Sequence, residues 1–268
     1  MPQNRYNLPI ALGRWAVGCR DSFRGACAFL GETVVEGLGM LVHPGRFRLG
    51  DCSRAFERAC CNGLPITTLI GFLLGLILAF ESAASLKRFG AEVYVADMIA
   101  IGLFRELGPI ITAIVVAGRT GSAFAAEIGT MKVDEELDAL TTFGLPPVRF
   151  LVLPRIVAAT VAMPVLTIFA ELAGLVGGAI VLMLMGVPLT VFYNHAFNVS
   201  TVFMIVFGLS KGALFGALIG FLGCLSGMRT ENTADGVGVA ATSAVVGGMI
   251  AIAVADGLLA VICYVWGV

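Results

Sequence analysis

The sequence predicts an all-α integral membrane fold, with an N-terminal interfacial amphipathic helix followed by five transmembrane helices. Three observations carry that expectation. Hydrophobic residues fill 58% of the 268 positions and charged residues only 13%, with a mean hydropathy of +0.95, a balance that leaves too little polar surface for a soluble domain. Five stretches after position 62 have the length, about 20 apolar residues, that a helix needs to cross a bilayer. Eight of the 17 basic residues fall in the first 58 positions, on a segment too charged to span and too apolar to stay in water.

Residues 1–61 read as the interfacial region. Over residues 8–41, Leu12, Trp15, Ala16, Cys19, Phe23, Ala26, Leu30, Val34 and Leu38 recur at steps of three and four, with Arg14, Arg20, Arg24 and Glu32 on other faces. Such a helix lies in the membrane interface with its arginines toward anionic headgroups. Acidic residues interleaved with these arginines argue against a nucleic-acid partner. The same arginines break up any apolar core of a cleavable signal. His43-Pro44-Gly45 ends the helix, and a short helix over 51–61 leads to the membrane.

Residues 62–268 read as the five-span domain. The spans are placed at 63–86, with Pro65 in the opening turn; 96–117; 151–185, kinked by Pro164; 199–227; and 239–267. Five spans put the termini on opposite sides. With the N-terminus in the cytoplasm, 13 basic residues lie inside and only Lys87 and Arg88 outside, so the C-terminus faces out.

Ionisable residues inside spans are costly and mark functional positions. Arg105, Glu106, Glu171, Lys211 and Asp256 qualify, while Glu81 sits near an outer end. At about 1.5 Å of rise per residue, Lys211 and Asp256 each lie roughly 17 Å below the outer ends of consecutive antiparallel spans, which pairs them. The pair either fixes helix register or belongs to a polar wall or gate. Arg105 and Glu106 point about 100° apart, so at least one lines a cavity or meets another chain. Pro109 frees a carbonyl near Arg105. Gly208, Gly212, Gly216 and Gly220, and likewise Gly71 and Gly75, form bare faces for close helix contact. Gly118 and Gly121 belong to a small-residue run that also serves helix packing.

Between the second and third spans, Ile128, Met131, Leu137 and Leu140 share one helical face. Asp134, Glu135, Glu136 and Asp138 form an acidic cluster beside them, with Glu127 and Lys132 nearby. That apolar face needs a cover, either this chain's own membrane face or a docked soluble partner. The seven cysteines contain no CxxC pair, and His43 and His195 lie far apart, so no metal site and no disulfide framework is read. GxxxxGK[ST] and HExxH are absent and no His-centred nucleophile arrangement is read, so no nucleotide loop and no enzyme is expected. Uphill transport would draw on an ion gradient, with Lys211 and Asp256 as a proton-responsive pair, or on another polypeptide.

The stretch FRELGPIITAIVVAGRTGSAFAAEIGTMKVDEELDAL, residues 104–140, resembles the MlaE/YrbE-type permeases, membrane subunits of lipid-transporting ABC systems that work with MCE proteins. The likeness continues through PRIVAATVAMPVLT (154–167), LSKGALFG (209–216) and the final span with Asp256. The resemblance implies a bacterial inner-membrane protein with a second copy of itself, a cytoplasmic ABC ATPase dimer that binds ATP and Mg, a periplasmic MCE hexamer, and in some systems a small STAS-type subunit. The chain itself would hold no cofactor. It further implies a lipid bound between the permeases, a substrate cavity at Arg105 and Glu106, and a polar pair at Lys211 and Asp256. The coupling helix, at about 124–142, falls on Glu127, Ile128, Met131, Asp134, Glu135, Glu136, Leu137 and Leu140. Glu81 and Glu171 depart from the family pattern.

Overall fold

The computed structural model describes residues 8–42 and 49–266, which are almost wholly helical and contain no strand. The chain divides into two compact units, residues 1–47 and 48–268. The described residues of the first form a single helix, α1 (Leu8–Val42). Arg20 and Arg24 are exposed on it, as are the apolar Phe23, Leu30, Val34, Val35 and Leu38. The break expected at His43-Pro44-Gly45 lies outside the described residues.

The second unit contains five helical runs long and apolar enough to cross a membrane. The first is α2 (Leu49–Leu86), which corrects two expectations. Residues 51–61 and the first span are one unbroken helix, and Pro65 sits inside it rather than in its opening turn. The carbonyl that Pro65 leaves without a donor belongs to Cys61, which is exposed, so the helix continues at small cost. The third and fifth runs are α7 (Leu153–Leu184) and α10 (Ala234–Trp266). The fourth is α9 (Val202–Met228). A helix that the sequence reading did not assign, α8 (Leu189–Val199), joins α7 to α9.

The second run, Glu92–Val133, spans 42 residues. It comprises α3 (Val95–Gly102), α4 (Gly108–Val116) and α5 (Ser122–Val133), linked by π-helical turns at Leu103–Leu107 and Ala117–Gly121. A third such turn, Val148–Val152, opens α7. In each, an N–H bonds the carbonyl five residues back: Gly108 to Leu103, Ser122 to Ala117, Leu153 to Val148. The first and third turns end two residues before Pro109 and Pro154, where the missing N–H already interrupts the α pattern.

The expected coupling helix is therefore two elements. Its first part, α5, continues the second span without interruption. The chain then turns at Asp134-Glu135, Glu135 taking a left-handed φ of 59°, into α6 (Glu136–Thr142).

Bare glycine backbone sets the packing. A Cβ at Gly71 or Gly75 of α2 would overlap the backbone of Ala170 or Gly174 on α7, and one at Gly208 of α9 would overlap the Phe104 carbonyl. Gly216 and Gly220 meet Ala159 and Ile156 of α7, Gly212 meets Thr167, and Gly121 meets Ile219. These glycine faces thus serve helices of this chain. Gly118 does not, since a Cβ there would meet nothing within 4 Å. The core between helices is Ala113, Val116, Met163, Leu166, Phe215, Ile219 and Ile252, and a second cluster around Ile99, Leu103, Val181 and Phe192 fills the end near α8.

Candidate functional site

A lysine amine lies between two carboxylates inside the helical bundle. Lys211 of α9 contacts Asp256 of α10, and also Glu106 of the first π-turn. The Lys211 side chain is 1% exposed, Glu106 37% and Asp256 22%, so the cation is sealed while both anions reach toward a surface. Three helical runs close on this point for local reasons. Gly208 and Gly212 let α9 approach the π-turn and α7, and the π-turn adds a residue that re-aims Glu106 relative to the helix above it.

Surrounding groups extend the polar zone. Glu171 of α7 is 2% exposed and lies against the same π-turn, its Oε1 2.9 Å from where a Gly108 Cβ would stand. Thr167, one turn earlier, faces Gly212 and donates to the Met163 carbonyl at 2.8 Å. Arg105 points elsewhere, lining a cavity of about 210 Å³ with Thr201, Phe203, Met204, Phe207 and Cys263. The adjacent pair Arg105 and Glu106 thus serves two different places. Glu81 is exposed near the end of α2 and joins neither.

The pairing of Glu106 with Lys211 was not drawn from the sequence, yet the signal existed. Glu106 lies 11 residues past Val95, the first residue of α3, a depth of roughly 17 Å. That matches the depth used to pair Lys211 with Asp256. The sequence also gave no role to His195, whose Nδ1 lies 3.2 Å from Asp97 and whose ring meets Tyr94 edge-on. These contacts tie α8 to the start of α3.

A second charged cluster lies at the opposite end of the bundle. Glu127 of α5 meets Arg155 of α7 at 3.0 Å and Arg58 of α2 at 3.4 Å. Of the proposed coupling residues, Ile128 and Leu137 are buried in this chain, Met131 and Leu140 are half-buried, and Asp134, Glu135 and Glu136 are exposed. The chain itself covers much of the apolar face, leaving the acidic corner outward.

Residues 52–262 match the family described as Permease MlaE. The chain belongs to the MlaE permease family. Both charged clusters fall within the matched residues. This MlaE-family chain is 37% identical over 199 residues to a probable ABC transporter permease protein of Rickettsia typhi, covering 74% of this chain and 77% of the relative. A probable ABC transporter permease protein of Synechocystis is 35% identical, with coverage of 74% and 76%. The chloroplastic protein TRIGALACTOSYLDIACYLGLYCEROL 1 of Arabidopsis thaliana is 33% identical over 80% of this chain and 62% of its own length. The MlaE-family chain is thus a multi-pass permease of the ABC transporter class, a class that works with an ATPase.

Proposed function

We propose that this chain is the permease subunit of an ABC-type complex moving phospholipid or a related hydrophobic lipid between the bacterial inner membrane and an MCE protein. ATP hydrolysis on a separate subunit, which binds the ATP and Mg, supplies the energy. The observation that carries the reading is the Glu106–Lys211–Asp256 cluster. A lipid needs a largely apolar path with a few polar groups for its headgroup, and intramembrane charge is tolerated where it does such work. The galactolipid in the name of the chloroplast relative supports a lipid cargo. The N-terminus lies in the cytoplasm and the C-terminus in the periplasm. A second copy covers the exposed α10, whose most apolar stretch is only 11% buried. An MCE hexamer takes the outer side, a cytoplasmic ATPase dimer docks at Asp134–Glu136, and a small STAS-type subunit completes some assemblies.

Mass spectrometry of lipids retained by the purified complex tests this. Phospholipid is expected in the wild type and less of it in Glu106→Ala; equal occupancy removes Glu106 from the site. Reversing charge at Asp134, Glu135 and Glu136 is expected to lower the ATPase that copurifies. The expectation of an ion-coupled secondary transporter built on Lys211 and Asp256 is set aside, because the chain belongs to a family of ABC transporter permeases.

A further inference from the structure

Glu127 stands within the segment expected to receive the ATPase, yet both of its carboxylate oxygens are engaged inside this chain. Oε2 accepts from Arg155 of α7 at 3.0 Å, and Oε1 accepts from Arg58 of α2 at 3.4 Å. Arg155 is held by a further contact, donating from its other terminal nitrogen to the Leu151 carbonyl in the third π-turn at 3.0 Å. Its side chain is 15% exposed.

On the far side of α5, Lys132 donates to the Met228 carbonyl, the last residue of α9, at 3.0 Å. Five positions separate Glu127 from Lys132, which sets them about 140° apart around α5. One flank of α5 is therefore tied to α2 and α7, the other to α9. The C-terminal carbonyls of α9 favour a cation there, so the Lys132 contact holds along that helix's axis. From Met228, α9 runs 17 residues up to Lys211, roughly 26 Å of straight helix.

α5 also continues, without a break, the run that carries Glu106. Two helical paths therefore connect α5 with the buried cluster, one along its own run to Glu106 and one through Lys132 and α9 to Lys211. The Glu127 bridge is a direct tie from α5 to α2 and α7. It borders a cleft of about 290 Å³ lined by Asp51, Arg54, Phe150 and Pro154, and Arg58 is 69% exposed. The bridge is a directional contact beside open space, not a packed core.

We propose that Glu127 is a positioning residue: its carboxylate clamps α5 to α2 and α7, so that an ATPase stroke on this segment moves all three together and is converted into lipid transfer. This rests on the permease reading above.

The experiment uses the permease copurified with its ATPase and reconstituted in vesicles of phosphatidylethanolamine and phosphatidylglycerol carrying a fluorescent phosphatidylethanolamine. Retained ATPase and labelled lipid transferred per ATP hydrolysed are both measured. Glu127→Gln and Arg155→Gln are each expected to retain the ATPase at the wild-type ratio. Lipid transferred per ATP falls about tenfold, the scale of an intersite coupling free energy. The exchange Glu127→Arg with both Arg155→Glu and Arg58→Glu, which avoids setting an arginine against Arg58, restores transfer to within about threefold of wild type, because a direct partnership appears as non-additivity. A merely structural contact would lower both readouts together. Unchanged transfer per ATP in Glu127→Gln overturns the clamp. So does a charge exchange at all three positions that is no better than either single change, or loss of the ATPase from Glu127→Gln, which would place Glu127 in the docking surface. A wild-type chain that retains no ATPase instead overturns the permease reading on which the clamp rests, and is seen before any variant is made.

Discussion

The two charged clusters are inversions of each other. Inside the bundle one cation, Lys211, is held by two carboxylates from two helical runs; at the opposite end one carboxylate, Glu127, is held by two arginines from two others. Their surroundings differ more than their composition. Lys211 is 1% exposed and Glu127 is 40% exposed. Removing a partner from a buried cluster leaves an uncompensated charge in low dielectric, whereas water re-solvates a broken pair at the surface. Breaking the same three-charge arrangement therefore costs more in the bundle than at its end.

That contrast is open to direct attack. Lys211→Met is expected to cost about 3–5 kcal/mol, the scale for breaking a buried ion pair, read as a lower thermal midpoint in detergent; an unchanged midpoint would abolish the distinction. Adding a side chain where α2 meets α7 comes next, with Gly75→Leu costing about 1–3 kcal/mol through overpacking. Gly257→Ala, with nothing within 4 Å, serves as the neutral comparison. The exchange of Lys211→Asp with Asp256→Lys sharpens the geometry, because it leaves an aspartate facing Glu106. Adding Glu106→Gln to that exchange is expected to recover more lipid transfer than the exchange alone. Smallest is Arg58→Gln, at about 1 kcal/mol or less of stability for an exposed pair, measured by the same thermal scan.

The five spans were legible because a bilayer demands length and apolarity in a continuous run, and those are properties of sequence. Lys211 and Asp256 could be paired for a related reason: depth in the membrane follows from counting residues. Glu106 escaped the pairing because the helix through Arg105 was treated as regular, and a π-turn changes which way each side chain faces. Pro109 announced the interruption but not its form. The coupling segment divided at Asp134-Glu135 where the sequence carries no glycine or proline, so a left-handed glutamate there was not readable. α8 was missed because its 11 residues are too few to span and lie between two stretches that do. Gly118 and Gly121 look alike in sequence, yet only Gly121 meets a neighbour, since the phase of the turn containing both decides which faces inward.

The position of Lys211 bears on how the protein is made. A lysine at the centre of an isolated span opposes insertion by about 2.5–3.5 kcal/mol on translocon scales. α9 leaves the ribosome after the run carrying Glu106 and before α10 with Asp256. Glu106 is then the anion already waiting in the bilayer when Lys211 arrives, and Lys211 in turn receives Asp256. Order of synthesis makes the first carboxylate an insertion aid for the lysine, and the lysine an aid for the second carboxylate, before the bundle is complete.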